Sequence, residues 1–94
     1  MKKVEVNQEL LESCFNMAKA VGANYIGIAI ATAGQEGIEV IINPRANFDK
    51  KLEYYKEKYT EDLALKSWEG IRIVGFAFGN KFNEIQAWLK HLDI

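Results

Sequence analysis

Two rhythms of apolar residues alternate along the chain. Leu10, Leu11, Cys14, Met17, Ala18 and Val21 recur three and four positions apart, the spacing of one broad helical face. Asn7 is placed to cap that helix, with Glu9 in its first turn, and Gly22 supplies the residue that commonly ends one. Residues 24–33 and 37–43 are isoleucine-rich and β-branched, and Gly34-Gln35-Glu36-Gly37 separates them as a hairpin loop would. Ile26, Ile28 and Ile30 share one side of the first strand, and Ile38, Val40 and Ile42 share one side of the second. Paired, these six side chains predict a core face. Before the first helix, residues 2–6 alternate weakly and read either as an edge strand or as a lead-in.

The segment 43–49, Asn-Pro-Arg-Ala-Asn-Phe-Asp, marks the change from strand to helix. Pro44 stops the strand and Asn47 is placed to cap a second helix. From 47 to about 66, Phe48, Leu52, Tyr55, Tyr59 and Leu63 form the single stripe of that helix. Its end is ambiguous: residues 63–66 fit a short strand turning at Glu69-Gly70 as well as they fit a helix. Residues 71–78 read as a strand. Asn80 is placed to cap a last helix whose stripe is Phe82, Ile85, Leu89 and Leu92. The order α-β-β-α-β-α predicts a two-layer α/β (α+β) domain. It has three helices and a small mixed sheet of three to four strands built on the 24–43 hairpin. The link through the second helix favours a parallel strand pair with a right-handed crossover.

Two surfaces are left over. Opposite the isoleucines, the first strand shows Tyr25, Gly27, Ala29 and Ala31, and the third has Gly75 and Ala77. These small residues predict a shallow trough, to be filled by a close-packed helix, a second subunit or a flat ligand. Three helices crowd one face of a three-stranded sheet, which favours the helix. If the second helix runs to its full length, Tyr54, Leu65 and Trp68 gather opposite the main stripe; if it stops early, Leu65 and Trp68 belong to a folded-back segment instead. They make a candidate protein interface, because Tyr and Trp anchor such contacts. A homodimer would account for either surplus.

Composition narrows the field. At 94 residues the chain is one domain, 1–94. A net charge of −1 supplies no global field toward nucleic acid or anionic lipid. Lys50, Lys51, Arg45 and Lys58 with Tyr54 would be the nucleic-acid candidates, but Glu53, Glu57 and Glu61 interleave with them as on a solvated helix face. Met1-Lys2-Lys3 leads into no signal-peptide core and no run is long enough to span a bilayer, so a cytoplasmic location is expected. Cys14, the lone cysteine, reads as a buried small hydrophobe.

Catalytic chemistry finds little material. His91 is the one imidazole and falls in the last helical turn, and one Cys and one His make no metal set. Gly34-Gln35-Glu36-Gly37 lacks the strand–loop–helix setting of a phosphate loop, and Gly79-Asn80-Lys81 offers only a weak anion signal. Arg45, Asn47 and Lys50, with the backbone N–H groups of Phe48 and Asp49, are the candidate cradle for a small anionic ligand such as a nucleotide. Asp49 opposes that reading by placing its own carboxylate at the helix start. The expectation is a non-enzymatic accessory or regulatory protein of bacterial or phage type. It would need no cofactor and would act by binding protein, with the small-anion binder as the alternative.

Overall fold

The computed structural model describes residues 6–91, so most of the expected 2–6 segment and Leu92 of the last stripe lie outside it. Helix α1 is Gln8–Val21, opened by Asn7, whose side chain accepts from the Leu10 N–H, and closed by Gly22 in the left-handed conformation. Strand β1 is Tyr25–Thr32 and β2 is Glu39–Pro44. A single 3-10 turn, Arg45–Asn47, leads into α2, Phe48–Lys58. Strand β3, Ile71–Gly79, and helix α3, Phe82–Lys90, complete the order α-β-β-α-β-α.

The sheet order is β2-β1-β3, with both pairings antiparallel. The parallel pair of a mixed sheet is therefore replaced by a different arrangement. β2 and β3 do run in the same direction, but β1 lies between them. The physical reason is in β1 itself, which is apolar on both faces (Ile26, Ile28 and Ile30 on one, Gly27 and Ala29 on the other) and buried along most of its length. A strand with no polar side belongs in the centre of a covered sheet.

The helices divide between the two faces, so two expected layers become three. Leu11, Phe15 and Ala18 of α1 and Phe48 and Tyr55 of α2 pack with Ile26, Ile28, Ile30 and Ile73 on one face. Ile85 and Leu89 of α3 pack on Ala29, with Val40, Ile42 and Ala77 around them, on the other. The hairpin register sends its six branched residues to different sides. Ile28 pairs with Ile41, while Val40 and Ile42 pair with Ala29 and Gly27. A one-residue shift of register reverses every side chain of a strand, and here it supplies α3 with its floor. A bulge where β3 passes Ala29 and Ile30 does the same for the third strand. It puts Ile71 and Ile73 on the α1 face and Val74 and Ala77 under α3.

Helix α1 buries Leu11, Cys14, Phe15 and Ala18 and leaves Leu10, Met17 and Val21 exposed. Its core face is thus rotated from the expected one and centred on Phe15. Lys56 pairs with Glu12 at 2.8 Å and Lys19 with Asp49 at 2.6 Å, so α1 and α2 lie antiparallel. Both pairs are exposed and each contributes ~1 kcal/mol at most. The tighter link is Gln8, whose Nε2 donates to the carbonyls of Lys56, Tyr59 and Thr60 at the end of α2. Those carbonyls have no partner inside the helix.

Helix α2 stops at Lys58, eight residues short of the expected limit, and the short-strand alternative for 63–66 is the one adopted. Tyr59 is extended, Leu63 takes a left-handed backbone (φ 63°), and the chain folds back. Bridges Tyr59–Leu65 and Ala64–Arg72 then lay residues 63–65 along the outer edge of β3. Leu63 is still fully buried, reaching the core by a strap rather than by a helix.

Candidate functional site

Tyr54, Leu65 and Trp68 do not share a helical face, because α2 ends before the last two. Tyr54 stands on α2, partly exposed, edge-on to Tyr55 at 5.4 Å, with the Lys51 ammonium 5.1 Å from its ring centre. Leu65 sits in the strap, half-buried against the core. Trp68 lies in the turn between strap and β3 and is 67% exposed. An indole left in water over most of its surface gives up a burial of ~150–250 Å², and no described residue of this fold covers it.

At the strand–helix corner, charges are met internally. Arg45 donates from its guanidinium to Asn24 Oδ1 at 2.7 Å and from its backbone N–H to the Asn24 carbonyl at 2.9 Å. Asp49, in the first turn of α2, holds Lys19. Asn47 makes no side-chain cap and ends the 3-10 turn instead. Lys50 is exposed on α2. The three candidate anion ligands thus lie close along the chain, but the arginine is turned into the loop before β1. Asn80, expected to cap α3, instead accepts the Asn24 N–H through Oδ1, and Lys81 stands at the cap position.

Sequence reasoning missed a third surface. Trp88, on α3, is 59% exposed and stands over a groove of about 330 Å³ lined by Ala77, Phe78, Gly79, Lys81, Glu84 and Ile85. Its signal was available: Trp88 falls three residues after Ile85, one step off the expected stripe of α3.

Among the described residues no three His, Cys, Asp or Glu side chains come together as a metal site, and no helix is long and apolar enough to cross a membrane. The small-residue trough is occupied by α3, whose Ile85 and Leu89 lie where a Gly27 side chain would stand. Burial pushes the Cys14 thiol up to about 11. At pH 8 its thiolate fraction is then on the order of one in a thousand, against about a quarter for a free thiol. Ellman's reagent should react with Cys14 at least ~100-fold more slowly in the folded protein than in urea. Equal rates would place the thiol at the surface.

Comparison with family models, with curated proteins and with solved structures finds no match, so residues and geometry alone carry the functional reading.

Proposed function

We propose that this protein is a small non-catalytic accessory or regulatory module that acts by binding another protein, in homodimeric form. The observation supporting it is Trp68, 67% exposed at a turn that the strap and β3 hold in place. Large aromatic side chains on a rigid support lose little conformational entropy on docking, and they dominate the energy of protein interfaces. Tyr54 adds a second anchor from α2, its ring held edge-on to Tyr55.

The test is capture of a binding partner from a lysate of the organism that encodes the chain. Wild type is compared with Tyr54→Ala, Trp68→Ala and the double variant. Each truncation of a true anchor should weaken partner binding by about 2 kcal/mol, roughly 30-fold. Both side chains being exposed, folding stability should move by less than about 0.5 kcal/mol. A partner held equally well by the double variant would remove the basis of the reading, as would the failure of any protein to be enriched.

A further inference from the structure

Along the part of the β3 edge beyond the strap, large apolar side chains are exposed or half-buried in all three layers. In the middle layer, the strap covers only the first part of β3: Ile73 N–H donates to Leu63 O and Leu65 N–H to Ile71 O. Beyond it, residues 74–79 have no outer neighbour among the described residues. Their sequence, Val-Gly-Phe-Ala-Phe-Gly, carries neither charge nor proline, and Val74, Phe76, Ala77 and Phe78 are only half-buried. Edges that must stay single are normally blunted by charge, by proline or by a covering segment. The opposite edge is treated that way, since β2 begins at the exposed Glu39 and ends at Pro44.

The upper layer continues this strip. Glu12 and Lys19 turn one flank of α1 toward α2, and α1 packs over β3 while α2 packs over β2. The other flank of α1 therefore overhangs the β3 edge. It bears Leu10, Met17 and Val21, 47%, 55% and 68% exposed, spaced seven and four residues apart as along one helical stripe. Gln8 at the strap and Asn24 at Asn80 fix the direction: Met17 and Val21 lie toward the uncovered half of β3. In the lower layer, Trp88 stands beside residues 77–79 in the groove.

We propose that this side is where a second copy of the chain docks, the two β3 strands pairing antiparallel about a two-fold axis into a six-stranded sheet. The inference shares with the proposed function only the two-copy form and uses a different surface from Trp68. Charge favours a like partner. The paired strip 74–79 is uncharged, Lys81 and Glu84 beside it lie 3.9 Å apart and offset each other, and a chain of net charge −1 barely repels its copy. A two-fold axis also lets identical residues meet without an open-ended chain of contacts. Area sets the size class of the contact. Six strand residues span about 20 Å, and the thinnest dimension of the molecule is 21 Å. The contact is then about 400 Å² per copy, below the ~800 Å² of a standard interface. A contact of this size belongs with the weak, transient class of interfaces, so the dimer is expected to form only as concentration rises.

Sedimentation and backbone amide exchange from about 10 µM to about 1 mM test this directly. The expected result is a monomer–dimer equilibrium in which amides of 74–79, and not those of β2, gain protection as concentration rises. Met17→Glu/Val21→Glu and, independently, Trp88→Glu should each weaken the dimer at least tenfold, with melting at low concentration unchanged. Trp68→Ala should leave it unaltered, so loss of a heterologous partner in that variant bears only on the proposed function. A monomer at all concentrations overturns the inference, and so does a dimer indifferent to both acidic variants. Protection of 74–79 that is independent of concentration also overturns it, since the edge would then be covered within one chain.

Discussion

Replacing Phe15 by alanine should destabilise the protein by about 3–5 kcal/mol, a large share of the ~5–14 kcal/mol expected for a domain of this length. Phe15 is fully buried and is the hinge between three elements. Its ring meets Phe48 edge-on at 5.9 Å and Tyr55 at 6.4 Å, both on α2, and it lies in one cluster with Ile26 and Ile28 of β1. Loss of the ring removes two aromatic contacts of about 0.5–1.5 kcal/mol each beyond simple burial. It also leaves a hole between rigid helices that cannot collapse easily. Urea unfolding should report the loss, with a fall of at least ~12 °C in melting temperature. Met17→Ala, two residues on but on the opposite side of the helix and 55% exposed, should cost less than about 0.5 kcal/mol. Comparable losses at the two positions would mean that α1 buries the other stripe.

That pair of variants shows where sequence legibility ended. Helix α1 carries two apolar stripes, Leu10/Cys14/Met17/Val21 and Leu11/Phe15/Ala18, with the same spacing. Periodicity predicts the helix but cannot choose between them. The choice falls to the residue with the largest area to bury, Phe15. The strands were legible for a similar reason: branched side chains leave few alternatives over 24–33 and 71–78. Their register was not, because Ile41 and Ile42 are adjacent and either could face Ile28. Only the cover on both faces decides it.

The end of α2 carries the same ambiguity. Tyr59 and Leu63 extend the helical spacing of Phe48, Leu52 and Tyr55, and both are buried, yet the helix stops at Lys58. Thr60 takes the N–H of Ala64 on its hydroxyl and that of Leu63 on its carbonyl. A local turn thereby competes with the next helical turn. The aromatic group projected onto one helical face is consequently divided. Leu65 goes into the core margin, while Tyr54 and Trp68 stay at the surface on separate elements. At the Arg45 corner the residue types are right for an anion, but the 3-10 turn directs the guanidinium to Asn24. No spacing rule encodes that direction.

Gly27→Ala is expected to be the most damaging change of a single methyl group. Gly27 is the third residue of β1, facing α3, and an added Cβ would stand 2.5 Å from Ile85 Cγ2, 2.6 Å from Leu89 Cδ1 and 3.2 Å from Ile42 Cδ1. The leucine tip can rotate aside. Ile85 Cγ2 cannot, because a β-branched side chain in a helix has one strongly preferred rotamer, so α3 itself must lift from the sheet. Overpacking of this kind costs about 1–3 kcal/mol, only partly offset by the ~0.5–1 kcal/mol that alanine gains over glycine within a strand. The net loss, up to about 2.5 kcal/mol, should lower the melting temperature by as much as roughly 10–20 °C. Gly79→Ala serves as the control, since its nearest contact, Ile85 Cγ1 at 3.4 Å, is ordinary. Combining Gly27→Ala with Ile85→Ala should cost at least ~1 kcal/mol less than the sum of the two single variants, because the second substitution removes the clashing methyl. Strict additivity would show that α3 does not lie in the small-residue trough.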